Sequence, residues 1–424
     1  MRCEYKRAEA GRIPEDWQHT TVGRLVDDDI LEAPLDGNHG ELHPTTSDFV
    51  SSGIPFVMAN NVVRGTVDLV KCAFITKTRA DSLRKGFAIE GDVLLTHKAT
   101  IGNTAVLGPL ASEYIMLTPQ VTYYRVRDRK RLSNSYLRHC FDGAAFQGAL
   151  HAMSGGGTRA YIGIVSQRQL PLVLPSTLRE QEAIADVLND ANALIESLEK
   201  LLAKKRHIKQ GTMQDLLTSR GRLPGFEDEW VVRELGQVAD IRSGGTPNTK
   251  QPTFWDGEIP WCTPTDITAL GSRKYLHETE RRITQEGLRT SAGEMIPAQS
   301  IVMTSRATIG ACAINAVPVS TNQGFKNFVP FEGVDSEFLY YLLSIQKAAF
   351  VSLCGGSTFL EIGKAQLAVF AIRLPSTKME QTAIATILSD MDAEIAALEA
   401  KLAKTRQVKE GMMQELLTGR IRLV

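Results

Sequence analysis

The sequence contains few cysteines and no long apolar run. Its six cysteines are scattered through 424 residues without close pairs, so they provide neither a zinc-ligand spacing nor a disulfide framework. No stretch of 18 apolar residues occurs, and residues 1–15 are polar, without the apolar region of a secretion signal. We therefore expect a protein of the reducing cytoplasm, whose length suits two or three domains.

The chain also lacks an excess of either charge. Lys and Arg number 48, as do Asp and Glu, which gives a formal net charge of zero. Nonspecific coating of nucleic acid depends on neutralising phosphates with basic side chains, so this balance argues weakly against that class of protein. A net charge of zero is also compatible with one basic face of the protein that an acidic face elsewhere balances.

Catalytic motifs are missing as well. The glycine-rich run Gly155–Thr158 lacks the lysine of a phosphate-binding loop, and neither an amino-methyltransferase tetrapeptide nor a GxGxxG after a strand occurs. His39 and His43 have an H-x3-H spacing, but their loop, rich in Gly and Pro, favours an ordinary polar loop over a zinc site. Glu399 and Lys401 have the E-x-K form of many nucleases but lie on a helical heptad pattern. The sequence thus predicts no catalysis and no metal site.

A repeat of about 200 residues organises the chain. Residues 175–223 and 375–423 share 28 identities in 49 positions. Both blocks predict helices of some 40 residues, about 60 Å long. Their apolar residues follow steps of four and three, which is the seam of a coiled coil. The seam positions are Ile184, Leu188, Ala191, Ile195, Leu198 and Leu202 in the first block, and Ile384, Leu388, Met391, Ile395, Leu398 and Leu402 in the second.

The ends of these helices carry further signals. Thr177 with Glu180, and Thr377 with Glu380, have capping-box spacing. Beyond Leu202 the sequence predicts that the strict seam is lost, with later apolar residues in a shifted register. Two near-copies with such narrow apolar stripes favour pairing with each other over packing as ordinary core helices.

The segments between the helices, 1–174 and 221–374, match only in islands such as Ala99–Gly102 with Ala307–Gly310. Short β-like runs, helical patches, and turns marked by Gly and Pro alternate in both, which predicts two α+β globules. The chain divides into globule 1–174, helix 175–220, globule 221–374 and helix 375–424. Residues 420–424 resemble the 220–224 segment that leads into the second globule, so the repeat is cyclic, with a pseudo-two-fold axis and neighbouring termini.

These motifs resemble the specificity subunit of Type I restriction-modification systems. The helix motif begins Pro-Ser-Thr-x-x-Glu-Gln-x-Ala-Ile-Ala and ends Gly-x-Met-Gln-x-Leu-Leu-Thr. It occurs twice with the family's spacing, and the resemblance covers essentially the whole chain. It implies two target recognition domains, each reading one half of a bipartite, asymmetric DNA sequence, and an antiparallel coiled coil that spaces them.

The resemblance also implies the partners and cofactors. Two modification subunits dock on the chain and use S-adenosylmethionine to methylate adenine N6. Two motor-nuclease restriction subunits complete the complex, with ATP and magnesium bound on those partners. This chain would hold no cofactor and would not touch a membrane.

We expect DNA contacts on loops whose side chains can hydrogen-bond to base edges, because binding residues commonly lie on loops that a rigid scaffold positions. The first candidates are the equivalent loops that follow two β-like runs, and the second candidates are the glycine-rich loops. Two further loops and a basic run are the remaining candidates. The candidates are His97, Lys98 and Thr100 with Ser305, Arg306 and Thr308; Thr158 and Arg159 with Thr358; Asn38 and His39 with Thr246 and Asn248; and Arg125 with Arg127.

Structural explanations stay open beside these contacts. The Thr-Ile-Gly loops and the glycine loops are also explained as structural turns without a DNA contact. The basic run is also explained as a solvated strand edge. Two other functions remain as alternatives. A self-contained methyltransferase or nuclease would need a catalytic core for which the chain has no room, and a coiled-coil adaptor would bind only protein.

Overall fold

The computed structural model describes residues 5–8, 11–154, 161–354 and 360–423. The chain forms two compact units, Met1–Ser197 with Leu402–Val424 (unit 1) and Leu198–Lys401 (unit 2). Each unit thus contains one globule, the first part of the long helix that follows it and the last part of the other long helix. No helix in the described ranges is long and apolar enough to cross a membrane.

The globule of unit 1 is built from short strands and helices. Its strands are β1 (Tyr5–Ala8), β2 (Gly11–Pro14), β3 (Gln18–Thr21), β4 (Leu35–Asp36), β5 (Phe49–Val50), β6 (Ile54–Val57), β7 (Val62–Val63), β8 (Thr66–Val67), β9 (Ala73–Ile75), β10 (Phe87–Ala88), β11 (Val93–Thr96), β12 (Thr104–Val106), β13 (Ile115–Leu117), β14 (Val121–Tyr124) and β15 (Pro171–Leu174). Its helices are α1 (Val22–Asp27), α2 (Lys77–Asp81), α3 (Asn134–Asp142), α4 (Ala144–Met153) and α5 (Ile164–Gln167).

One mixed sheet and one antiparallel sheet form the frame of this globule. One has the order β10-β13-β6-β9-β5 and the other the order β12-β11-β14-β4. β3 pairs with β15, Gln18 opposite Leu174, so the beginning and the end of the globule are tied together. The main core joins the second sheet, α3 and α4 to Ile184 and Leu188 of the first long helix, α6 (Leu178–Leu217).

Unit 2 repeats this plan. Its strands are β16 (Val231–Glu234), β17 (Ala239–Ser243), β18 (Trp255–Cys262), β19 (Tyr275–Leu276), β20 (Arg281–Ile283), β21 (Ile301–Thr304), β22 (Cys312–Asn315), β23 (Ser320–Thr321), β24 (Phe325–Pro330) and β25 (Ala371–Leu374). Its helices are α7 (Leu235–Val238), α8 (Pro264–Ala269), α9 (Gln285–Thr290), α10 (Ser336–Ile345), α11 (Lys347–Ser352) and α12 (Lys364–Ala368), followed by the second long helix, α13 (Lys378–Leu416). The sheet orders are β17-β24-β21-β22-β19 and β20-β18-β23, and β16 closes on β25.

The predicted α+β globules and paired helices are confirmed. In unit 2, Lys205 of α6 pairs with Glu394 of α13 at 2.6 Å, and Lys209 pairs with Asp392. Increasing numbers on α6 meet decreasing numbers on α13, so the helices run antiparallel. Eight of the twelve predicted seam residues are buried, and the other four are half-buried: Ala191, Ile195, Met391 and Leu398.

The predicted loss of the seam after Leu202 is wrong. Leu216 continues the alternation of four- and three-residue steps and is buried, while Ile208 lies off the seam and is 41% exposed. Lys205, Lys209 and Thr212 occupy the seam positions between Leu202 and Leu216 and are half-buried, and the two lysines pair with acids of α13. The register therefore persists because ion pairs replace apolar contacts, which apolar periodicity cannot reveal.

The glutamate of the first helix motif does more than the capping box predicts. Thr177 Oγ1 accepts the backbone N–H of Glu180, as expected. The Glu180 carboxylate, 1% exposed, instead accepts the indole N–H of Trp17 at 3.3 Å and the guanidinium of Arg422. Arg422 also contacts Asp16 at 2.8 Å. The segment after α13 thus packs on the beginning of the chain within unit 1, as the cyclic repeat predicts.

Unit 2 contains the same clasp. Glu380 is 1% exposed and accepts the indole N–H of Trp230 at 3.1 Å. It also accepts two N–H groups of Arg222, at 3.0 and 3.2 Å. A carboxylate this deeply buried is stable only with paired charge and hydrogen bonds, so each clasp fixes a helix start to its globule.

Candidate nucleic-acid interface

The first candidate loop of unit 1 connects β11 to β12. Thr96 starts it, accepting the N–H of Asn103 on its hydroxyl at 2.9 Å and that of Gly102 on its carbonyl at 2.9 Å. Ala99 has a φ of 69°, in the left-handed region that side chains with a Cβ rarely adopt. The closed loop holds Lys98 and Thr100 exposed at its tip.

The equivalent loop of unit 2 connects β21 to β22 and has the same construction. Thr304 accepts the N–H of Gly310 at 2.9 Å, and Ala307 has a φ of 55°. Arg306 and Thr308 are exposed. Ala99 and Ala307 thus adopt the same unfavourable backbone conformation at equivalent positions of the two units. The residues packed around each loop must impose this conformation, as is common where side chains are held in place for function.

Two of the candidates in these loops are fully buried. His97 is 0% exposed, and its Nδ1 lies 2.9 Å from the carbonyl oxygen of Ile162. Burial lowers the pKa of His97, which favours a neutral ring. Ser305, its equivalent, is also 0% exposed. Both side chains lie beneath the loops rather than at their surface, and sequence alone did not distinguish these positions from their exposed neighbours.

The glycine-rich loops with Thr158, Arg159 and Thr358 lie outside the described residues. Where the described chain resumes, it lies against the first loops. Tyr161 pairs with Lys98, whose ammonium lies 5.8 Å from the ring centroid. Glu361 pairs with Arg306, and their side chains form an ion pair at 2.9 Å. Sequence reasoning missed both partner residues, although each precedes the repeated Ile-Gly that ends the glycine loop.

The third loop of unit 1 begins at Asp36, which is buried beside His97, forms an ion pair with Lys85 and is hydrogen-bonded to His39 Nε2 at 2.7 Å. His39 is exposed on the loop surface. Asn38 is buried and uses its amide to bind backbone, donating to Lys85 O at 2.6 Å and accepting from Arg84 N at 3.0 Å. Asn38 therefore shapes the loop, whereas His39 faces solvent.

The third loop of unit 2 follows β17. Gly244 takes the place of Gly37, since in both a Cβ would lie 1.9 Å from a backbone oxygen. Thr246 is half-buried and bonds to Gln323, and Asn248 is exposed. The neighbouring Gly324 accepts the N–H of Ser305 at 2.7 Å, which brings this loop next to the Arg306 loop.

Arg125 and Arg127 lie elsewhere. Thr96 pairs with Val121 at one end of β14, whereas both arginines follow the opposite end, beyond Tyr124. Arg125 donates to Asp92 at 2.9 and 2.8 Å and to a backbone carbonyl, and Arg127 pairs with Asp29. Because both arginines follow the end of β14 opposite the candidate loops, we leave them out of the interface.

Within the described ranges, no cluster of His, Cys, Asp and Glu is suited to a metal ion. His39 binds Asp36, and His43 packs against Phe56 with ring centroids 5.6 Å apart. The candidate loops thus combine buried supports with exposed polar side chains at their tips.

Comparisons with known proteins find similarity to Type I specificity subunits. A family model described as the Type I restriction modification DNA specificity domain matches residues 227–406. The Type I restriction enzyme MjaIX specificity subunit of Methanocaldococcus jannaschii is 38% identical over 177 residues, which are 41% of this chain and 40% of that protein. The putative MjaX specificity subunit of the same organism is 24% identical over 99% of this chain and 97% of its own length.

A solved structure extends the similarity to the fold of the whole chain. The S subunit of a Type I restriction-modification system from M. genitalium superposes with a TM-score of 0.59 at 14% identity. The match covers 98% of this chain and 99% of that one. The family model, the curated relatives and the shared fold together make the chain similar to the specificity subunits of Type I restriction-modification systems.

Proposed function

We propose that unit 1 and unit 2 each read one half of a bipartite, asymmetric DNA target for a Type I restriction-modification complex. One observation carries the proposal: both units hold the same loops on the same supports but present different side chains. Lys98 in unit 1 corresponds to Arg306 in unit 2, and its partner Tyr161 corresponds to Glu361. A shared scaffold with different exposed residues is what two unequal half-sites require.

The proposed contacts are the exposed loop residues. Lys98 acts as a point charge for a phosphate, whereas the planar guanidinium of Arg306 is suited to guanine O6 and N7. Thr100, Thr308, His39, Thr246 and Asn248 supply further polar contacts. Thr158, Arg159 and Thr358 remain proposed contacts on sequence grounds alone. His97 and Ser305 position the loops from beneath.

The long helices are proposed to space the half-sites and to bind the partners. Because they are near-copies, they are suited to two copies of one modification subunit, which would carry S-adenosylmethionine. Motor-nuclease restriction subunits with ATP and magnesium would complete the assembly. Residues 1–177 contain 20 basic and 18 acidic side chains, and 221–377 contain 14 and 16, so we expect weak DNA binding by the isolated chain.

A domain exchange tests the proposal. Residues 221–374 are replaced by the equivalent segment of another family member, and methylated adenines are mapped in cells that supply the modification subunit. We expect one half-site to change and the other to persist. The matched exchange of residues 1–174 should change only the other half-site. Loss of both half-sites from either exchange would contradict independent reading.

Two measurements address the alternative functions. Binding of S-adenosylmethionine to the pure chain in calorimetry would favour a self-contained methyltransferase. Failure to retard any DNA, even with the modification subunit present, would favour a protein-only adaptor.

A further inference from the structure

An arginine held on two tryptophans lies beside the third loop of unit 2. The guanidinium carbon of Arg281 lies 3.7 Å from the ring centroid of Trp255 and 5.3 Å from that of Trp261. The two indoles meet edge to face at 5.0 Å. Arg281 is exposed, while both tryptophans are largely buried. The cation–π contact therefore fixes the guanidinium at the protein surface.

This cluster is attached to the loop that carries Thr246 and Asn248. The indole N–H of Trp261 donates to the carbonyl of Gly245 at 3.0 Å, and that of Trp255 donates to the carbonyl of Asn248 at 3.2 Å. The same two rings thus position the loop and the arginine. Arg281 consequently belongs to the candidate interface, although its strand lies far from that loop in sequence.

The guanidinium of Arg281 is unusual among the candidate cations. Across the part of the chain that the structure describes, Arg281 has no hydrogen bond or ion pair from its side chain, whereas Arg306 pairs with Glu361. Its donors remain open while its position is fixed. An arginine so prepared loses little side-chain freedom when it forms two parallel hydrogen bonds, which is the geometry of guanine reading.

Unit 1 contains the same scaffold without the arginine. In unit 2, Trp255 pairs with Ile283, and Trp261 pairs with Arg281. In unit 1, Phe49 pairs with Ile75, and Phe56 pairs with Ala73. By register, Phe49 and Phe56 correspond to Trp255 and Trp261, and their rings lie 6.0 Å apart.

Ala73 therefore stands where unit 2 has Arg281. The aromatic pair is shared, and the residue placed over it differs. A different side chain at the equivalent position over a common aromatic support is expected of a residue that sets which sequence each unit reads.

We propose that Arg281 is a specificity-determining residue of unit 2 that reads a guanine in its half-site. The inference rests on the proposed function, because it assumes that unit 2 contacts DNA bases. It adds a contact that follows from neither the glycine loops nor the repeated islands of the sequence.

The test compares Arg281→Ala and Arg281→Lys with Arg282→Ala in the full chain, expressed with its modification subunit. Arg282 is the neighbouring exposed arginine, but alternation along β20 directs it to the opposite face, where it donates to Glu258 O at 3.3 Å. Methylated adenines are then mapped across the genome. Hydrogen exchange of unit 2 establishes that each variant is folded.

We expect Arg281→Ala to relax one base pair of one half-site, with discrimination falling about 10- to 100-fold at that position. Arg281→Lys should relax the same base pair, because lysine keeps the charge but lacks the two-pronged donor. It also keeps the inference testable if the alanine variant does not fold. Arg282→Ala should leave the methylated sequence unchanged.

Three results would overturn the inference. One is an unchanged methylated sequence in folded Arg281→Ala. Another is a uniform loss of methylation with sequence preference intact, which would indicate a phosphate contact. The third is full discrimination in Arg281→Lys, which would assign a packing role. If the exchange of 221–374 changes a half-site while these variants do not, only this inference fails; if the exchange changes none, the proposed function fails.

Discussion

Removing Arg422 should destabilise unit 1 by stranding a buried charge. Arg422 donates to both carboxylate oxygens of Glu180, which is 1% exposed, and the arginine side chain is itself only 15% exposed. Without it, Glu180 keeps the single indole N–H of Trp17. Breaking a buried pair at one partner costs about 3–5 kcal/mol. Because Trp17 remains, we expect the lower end, about 3 kcal/mol, for Arg422→Ala.

Since the chain has two units, the free energy of unfolding has to be measured for each. Hydrogen exchange in increasing denaturant, followed by mass spectrometry of peptides from α3 and α10, reports on unit 1 and unit 2 separately. Arg420→Ala is the matched control, because Arg420 pairs with Glu415 at 3.0 Å in solvent, 60% and 36% exposed. Such a pair contributes at most about 1 kcal/mol.

A double variant isolates the stranded charge. Glu180→Gln with Arg422→Ala removes both charges and leaves an amide oxygen to accept the indole N–H of Trp17. We expect the double variant to be less destabilised than Arg422→Ala alone, by roughly 1–2 kcal/mol. A loss below 1 kcal/mol in Arg422→Ala, or a double variant that adds the two single losses, would refute the argument that the clasp stabilises unit 1 by neutralising Glu180.

Two further predictions concern acid sensitivity and the long helices. Burial lowers the pKa of His139 to about 4, whereas an unfolded histidine titrates near 6.5, so between these values only the unfolded chain takes up the proton. Unit 1 should therefore lose stability as pH falls from 6.5 to 4, by roughly 3 kcal/mol from this group. His139→Gln should flatten that part of the pH dependence of stability, measured by hydrogen exchange. An unchanged pH dependence would contradict a neutral buried ring. Inserting one heptad into both helices, between Leu198 and Leu202 and between Leu398 and Leu402, adds about 10.5 Å of helix. Methylation mapping should then give a longer spacer between unchanged half-sites, while insertions of three or five residues should prevent assembly. An active heptad variant with the original spacer would show that the helices do not set the distance.

The long helices were predictable because their signal is local and repeated. Apolar steps of four and three residues, present twice, specify paired helices wherever the rest of the chain lies. The prediction was wrong where the signal changed from apolar to ionic, at Lys205 and Lys209. The acidic partners of these two lysines lie almost 200 residues further along the chain, so the sequence could not show that the ion pairs preserve the seam.

The candidate interface was likewise predictable from the sequence only in part. The islands around Ala99 and Ala307 were visible as repeats, and the structure places them in equivalent loops with equivalent left-handed residues. Within those loops, His97 and Ser305 are buried and Lys98 and Arg306 exposed. Adjacent residues on a loop differ in burial according to the strands packed beneath them, which single-sequence patterns do not contain.

Periodicity and short motifs were enough to predict the two-fold repeat, the α+β globules, the paired helices and the resemblance to specificity subunits. The folded structure was needed to show what the glutamates of the helix motif bind, which loop residues face solvent, and that Arg281 lies on Trp255 beside Asn248. These facts depend on contacts between distant segments. Burial and charge pairing are properties of the folded neighbourhood, so they decide the roles of individual residues only after the chain has folded.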